Sequence, residues 1–239
     1  MVNFLKIKNF LLDLLFPIKC LDCGKEGVWI CNHCLDTIPS FNHFICPVCQ
    51  RPSSNGQPCP DCQKKSALNS LWIATNYQHP LVKKLITNFK YQRVRSLAKP
   101  LGQLLVKLLN NLQVLNLLPD SSTLLIPVPL YWQRERQRGF NQSNLLVKQI
   151  NKHFPWKINT SALKRVKNTQ SQTQFNAKER QRNIANAFQV IRPNEIKNKQ
   201  IILLDDVFTT GATLQEAAKM LHRAGAKQVY GLALAKRAN

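Results

Sequence analysis

The chain has 239 residues, 44% of them hydrophobic, which suffices for one medium domain with an appendage or for two small domains. Its 34 Lys and Arg against 12 Asp and Glu give a formal net charge of +22, far from the balance of an ordinary metabolic enzyme. That excess points to a polyanionic partner, nucleic acid first, with plain solubility or a nucleotide-rich substrate as the alternatives.

No run reaches the ~20 apolar residues that span a bilayer. Residues 1–16 are rich in Leu and Phe, and Phe4, Ile7, Leu11, Leu14 and Leu15 recur near helical spacing. The spacing predicts an amphipathic helix packed on the rest of the chain, although a membrane surface or a partner would suit the same face. Asp13 interrupts the apolar run and no small-residue cleavage site follows, so the segment does not read as a signal peptide and a cytoplasmic location is expected.

Residues 17–66 hold all eight cysteines in four Cys-x-x-Cys pairs: Cys20/Cys23, Cys31/Cys34, Cys46/Cys49 and Cys59/Cys62, with gaps of 7, 11 and 9 residues. Each pair presents two sulfurs from one tight turn, and two pairs complete a tetrahedral zinc site. Sequential pairing, the simplest, gives the sets 20/23/31/34 and 46/49/59/62; the spacing also permits interleaved pairing. A disulfide framework is the rival, disfavoured in a reducing compartment. One or two structural zinc ions are therefore expected, and the segment is too short to build a core without them. Each thiolate site with its zinc carries −2, so two would lower the net charge to about +18.

Residues 67–239 read as the main domain. Residues 69–77 predict a strand, and 81–91 a helix with Leu81, Leu85, Ile86 and Phe89 on one face. Ser96 is a candidate cap for a Leu-rich helix reaching about Leu118. Residues 123–128 predict a second buried strand, stopped by Pro127 and Pro129. A loop with Arg134, Arg136 and Arg138 at alternate positions follows, and Gly139 opens a helix over about 141–152. Arginine matches phosphate oxygens bidentately. The polar stretch 164–183 reads as a linker, and 228–235 as a final strand.

Residues 201–213 carry the most information. Four apolar residues, Ile201 to Leu204, predict a buried parallel strand; Asp205 and Asp206 follow, then Thr209-Thr210-Gly211-Ala212-Thr213 and a helix over 214–224. A helix N-terminus offers unpaired N–H groups to an anion, threonine hydroxyls add donors, and Gly211 lets the backbone approach closely. The two carboxylates would repel a phosphate, so they suit sugar hydroxyls or a bound Mg²⁺.

This pattern resembles the phosphoribosyl pyrophosphate (PRPP) loop of type I phosphoribosyltransferases. More broadly the chain resembles the ComF family of natural transformation, through Cys46-Pro-x-Cys49-x-Arg51-Pro52, Phe89-Lys90-Tyr91, Pro127-Val-Pro-Leu130, Arg138-Gly-Phe-Asn-Gln142, Arg165-x-x-x-Thr169-x-x-Gln172, Arg180-x-x-Asn183 and Ala187-Phe188. The resemblance implies an α/β fold, a type I phosphoribosyltransferase-like parallel sheet flanked by helices, with a small N-terminal double zinc ribbon. It implies that Asp205, Asp206, Thr209, Thr210, Gly211, Ala212 and Thr213 bind PRPP or a phosphorylated ribose with Mg²⁺. Arg134, Arg136 and Arg138 would receive pyrophosphate. Lys164, Arg165, Thr169 and Gln172 would sit on a mobile loop over the reacting centre.

The family also implies handling of incoming single-stranded DNA beside helicase and recombination partners. Catalysis stays open. Thr209 stands where purine-salvage enzymes carry an Asp for the ring proton, and every Cys belongs to a pair, which leaves none for a glutaminase. An active, Mg²⁺-dependent phosphoribosyltransferase with an unidentified acceptor is the alternative reading.

Overall fold

In a computed structural model that describes residues 17–41, 43–169 and 177–237, the chain forms a five-stranded parallel sheet with helices on both faces and a cysteine-rich segment at one edge. The helix expected over 1–16 and the candidate Gln172 lie outside the described residues. The cysteine-rich segment contains the short helix α1 (Asn32–Asp36) and the 3₁₀ turns Ser54–Gly56 and Pro60–Lys65. β1 (Ser70–Asn76) leads into α2 (Pro80–Tyr91) and α3 (Ala98–Val114). β2 (Leu124–Pro127) precedes α4 (Trp132–Arg138), α5 (Gln142–Ile150) and β3 (Lys157–Ile158). β4 (Leu163–Arg165) and β5 (Phe188–Val190) pair antiparallel apart from the main sheet, with α6 (Ala177–Ile184) between them in sequence. After α7 (Pro193–Ile196) come β6 (Gln200–Phe208), α8 (Ala212–Arg223) and β7 (Gln228–Lys236).

The sheet order is β1-β7-β6-β2-β3, with every neighbouring pair parallel. The chain steps one way from β2 to β3 and the other way to β6. The gap between the carboxyl ends of β2 and β6 is therefore the topological switch point, where open α/β sheets take their ligands. Side chains alternate across the strands. Trp72, Leu125, Ile202, Leu204 and Leu232 pack with α2, α3 and α5, whereas Leu71, Ile126, Ile201, Leu203 and Ala233 pack with α8. Both faces are covered, so the strands read as continuous apolar runs.

The two cysteine clusters straddle the sheet edge. Cys20, Ile30, Cys34 and Leu35 join the α2/α3 face, and Ile45 joins the α8 face. The connection between them pairs with β1: Phe41 N–H donates to the Ala74 carbonyl at 2.9 Å, and Thr75 Oγ1 donates to the Pro39 carbonyl at 2.9 Å. An otherwise open strand edge is thereby closed. Gly56 lies so near β1 that a Cβ there would stand 2.2 Å from the Leu71 carbonyl oxygen.

Four local expectations change. Ser96 caps nothing; it lies in a 3₁₀ turn, Arg95–Leu97, that runs into α3. α3 stops at Val114, short of Leu118, in a Schellman motif: Asn116 takes φ 53°, and the Asn116 and Leu117 N–H groups donate to the Gln113 and Leu112 carbonyls. The three arginines lie on α4, not on a loop. Gly139 ends that helix at φ 77°, donating to the Glu135 carbonyl at 2.7 Å, and Asn141 opens α5 by accepting from the Ser143 N–H. Finally, β6 continues past Leu204 to Phe208, because β7 pairs with it as far as Phe208↔Lys236. Both aspartates are thus strand residues.

Candidate functional site

A polar cleft opens over the carboxyl ends of β2, β6, β1 and β7, at the switch point. Lys90, Arg134, Arg138, Gln142, Arg165, Asp205, Asp206, Thr209, Gly211 and Thr213 all contribute to its wall. Strand alternation sends the two carboxylates to opposite faces. Asp206 meets Lys90 from α2, Nζ to Oδ1 at 2.7 Å, with both side chains almost wholly enclosed. Asp205 falls on the α8 face, and its Oδ1 accepts the Asp206 N–H at 2.8 Å. Burial first, and the Asp206 carboxylate second, push the Asp205 carboxyl up to about 7.

The cationic wall comes from two elements. On α4, residues 134 and 138 are one turn apart and share a face, so Arg134 and Arg138 both reach the cleft. Arg136, two residues from each, points to solvent. On β4, alternation buries Arg165 and exposes Lys164. Arg165 donates through Nη2 to Thr169 Oγ1, Arg134 donates to the Thr169 carbonyl, and the Arg165 guanidinium lies 5.5 Å from the Phe188 ring centroid. Thr169 is therefore a buried brace between two arginines. Burial first, then the charge of Arg134, pull Arg165 down to about 10; Arg134 is lowered by burial and then by Arg138. These guanidiniums crowd one another in a poorly solvated wall. Two further donors there, Arg165 Nε and Gln142 Nε2, are buried without a hydrogen-bond partner among the described residues. Unanswered donors beside crowded cations suit a multiply charged anion.

The Thr-Thr-Gly loop completes the site. Gly211, the N-cap of α8, has φ 80°, and a Cβ there would stand 2.8 Å from the Phe208 ring and 3.1 Å from the Pro47 carbonyl. Thr209 and Thr213 face the cleft. Thr210 and Ala212 instead line a separate depression beside Pro47 and Val48 of the cysteine segment. Of the residues singled out by sequence, the structure thus gathers Asp205, Asp206, Thr209, Gly211, Thr213, Arg134, Arg138 and Arg165. It sets Arg136, Lys164, Thr210 and Ala212 elsewhere. Lys90 and Gln142 were visible only as parts of motifs. Lys90 sits on a helix with no acidic residue to pair with, which was its one local signal.

The cysteines form two clusters with sequential pairing, Cys20/Cys23/Cys31/Cys34 and Cys46/Cys49/Cys59/Cys62, each with its sulfurs within 4.8 Å of one another. Tetrahedral zinc with Zn–S near 2.3 Å needs sulfurs ~3.8 Å apart. The Cys23–Cys31 and Cys49–Cys59 sulfurs are both 3.7 Å apart and Cys20–Cys31 are 4.0 Å apart, so both sets fit structural zinc. Arg51 donates toward the Cys49 and Cys59 sulfurs and pairs with Asp61 at 3.2 Å. Its hydrogen bond pulls the Cys49 thiol down to about 6, whereas the hydrogen bond with Cys59 and then burial push the Cys62 thiol up. No helix among the described residues is long and apolar enough to cross a membrane.

Comparison with known proteins agrees with this two-part construction. Residues 11–63 match the double zinc ribbon domain and residues 141–238 the phosphoribosyl transferase domain. The chain is 34% identical to competence protein F of Haemophilus influenzae, over 92% of this chain and 98% of that one. It is 34% identical to the DNA utilization protein YhgH of Escherichia coli O6:H1, over 85% and 88% of the two chains. Competence protein ComFC of Bacillus subtilis is 28% identical, over 84% and 81%. With a double zinc ribbon set against a phosphoribosyltransferase-type sheet, and with these relatives matching over most of both chains, the chain belongs to the ComF family of competence proteins.

Proposed function

We propose that this protein serves DNA uptake and use by binding PRPP, or the phosphorylated end of a nucleic acid, in the cleft while its basic surface holds single-stranded DNA. The observation that carries the reading is the convergence of Arg134, Arg138 and Arg165, with two unanswered buried donors, on a cleft that also contains the start of α8. In this reading the arginines take phosphate oxygens, the loop at 209–213 takes a terminal phosphate, and Asp205 and Asp206 take ribose hydroxyls. Mg²⁺, when bound, would offset charge between phosphate and carboxylates. Tyr91, 64% exposed, lines the cleft as a stacking surface for bases, and the Arg138 guanidinium lies 5.5 Å from its ring centroid. The names of the relatives, a competence protein and a DNA utilization protein, support the nucleic-acid half. The work belongs in the cytoplasm, beside helicase and recombination proteins.

Calorimetric titration with PRPP and Mg²⁺ tests the cleft, and titration with single-stranded DNA across salt concentrations tests the surface. Expected are PRPP binding that Asp205→Ala/Asp206→Ala abolishes and DNA binding that weakens steeply with salt. Absence of PRPP binding, or DNA binding indifferent to salt, would overturn the corresponding half. A second reading, active phosphoribosyl transfer, is favoured by the carboxylate pair opposite the arginine wall. It predicts pyrophosphate release, dependent on Asp206, once an acceptor from a cell extract is supplied.

A further inference from the structure

The two cysteine clusters stand in different relations to the cleft. The first packs on α2, where Lys84 Nζ donates to the Leu21 carbonyl at 3.3 Å, and no hydrogen bond among the described residues joins it to the loop at 209–213. The second lies against that loop. Gln50, at the end of the Cys46-Pro47-Val48-Cys49 knuckle, donates through Nε2 to the Thr209 carbonyl at 2.9 Å. The Pro47 carbonyl is 3.1 Å from the point a Gly211 Cβ would occupy. Gln215, in the first turn of α8, donates to the Pro47 carbonyl at 3.3 Å and to Ser66 Oγ at 3.2 Å, and accepts from the Ala67 N–H at 2.7 Å. The knuckle and the segment just after Cys62 therefore grip both ends of the turn that opens α8.

The Gln50 contact has a directional consequence. A trans peptide is planar with C=O and N–H opposed, so pinning the Thr209 carbonyl to the knuckle turns the Thr210 N–H away from it. Without that pin the peptide is free to rotate and to present a carbonyl oxygen where an anion would bind. Gln50 reaches Thr209 from a left-handed conformation, φ 62°, held by the knuckle bonds from its own N–H to the Cys46 carbonyl and from the Cys46 N–H to the Arg51 carbonyl. Those bonds belong to the turn that presents Cys46 and Cys49 to a metal.

We propose that the second zinc knuckle is a working wall of the anion loop: Gln50 and Pro47 fix the turn at 209–211, so anion affinity depends on the second metal site and not on the first. This rests on the phosphate-binding reading of the cleft and adds Gln50 as a positioning residue.

The test compares wild type, Gln50→Gly, Cys49→Ser and Cys23→Ser as full chains. Glycine suits the positive φ and removes only the donor. Zinc per chain, thermal midpoint, amide hydrogen exchange across 200–214 and PRPP affinity with Mg²⁺ are measured. Gln50→Gly is expected to keep both zinc ions and the midpoint, to leave exchange at 200–204 unchanged, to speed exchange at 209–213, and to weaken PRPP about three- to tenfold, the worth of one hydrogen bond. Cys49→Ser gives the same pattern of faster exchange and weaker binding more strongly, with loss of a zinc ion, whereas Cys23→Ser loses a zinc ion without faster exchange at 209–213. Unchanged exchange there in Gln50→Gly, or equal effects of the two cysteine variants, overturns the proposal. A wild type that binds no PRPP refutes the functional reading instead, and the exchange data still decide the coupling.

Discussion

Asp205→Asn is expected to make the protein more stable while emptying its cleft of function. Asp205 lies partly buried beside Asp206, and its carboxyl is raised from 3.8 to about 7. An acid whose folded-state pKa is raised holds its proton more tightly folded than unfolded, so the wild type loses stability as pH climbs from about 4 to about 7. Three units at 1.36 kcal/mol each give a cost of about 4 kcal/mol above neutral pH, of which about 2 kcal/mol has accrued by pH 5.5. Asp205 keeps part of its surface at the cleft, where solvent reduces these figures. Asparagine removes the charge and retains an oxygen to accept the Asp206 N–H. Urea unfolding with zinc and reductant present, at pH 5.5 and pH 8, reads the difference between variant and wild type. The gain should be larger at pH 8, by up to about 2 kcal/mol before that reduction, with PRPP affinity lost at both pH values. A variant less stable than wild type at pH 8, or a gain equal at both pH values, would refute the reasoning.

Three further outcomes follow from particular contacts. Lys90→Met leaves the Asp206 carboxylate enclosed without its cation and should cost about 3 kcal/mol, whereas Lys90→Met/Asp206→Asn should cost less than the two single changes added; additive effects in urea titrations would show the pair to be uncoupled. Arg138→Ala should lower PRPP affinity at least about tenfold and Arg136→Ala less than about twofold, since only Arg138 faces the cleft; equal losses would place the arginines on a loop rather than on α4. Gly56→Ala should undock the second cluster from β1, because its Cβ would meet the Leu71 carbonyl; faster proteolysis between Cys46 and Cys62, with zinc content falling to one per chain, is the expected readout, and an unchanged digestion pattern would count against that docking.

The sequence by itself determined whatever rests on short spacing. A Cys-x-x-Cys pair is set by one tight turn and needs no distant partner, so the zinc ligands were readable. So was the strand–turn–helix of residues 201–213, whose apolar run, glycine and threonines carry their own conformational logic. The length of that strand is not legible in the same way: its apolar run stops at Leu204, but β7 supplies the partners that carry β6 to Phe208. The arginines at 134, 136 and 138 read as a loop because their polar surroundings carry no apolar period; only packing beside the cleft turned alternation in sequence into one exposed and two inward guanidiniums. Tertiary structure alone decided which cysteines share a site, which carboxylate meets Lys90 across 116 residues, and that a cysteine knuckle lies on the loop at 209–213 across 159. Such contacts depend on sheet order and helix docking, which bring together residues whose local sequences carry no mark of each other.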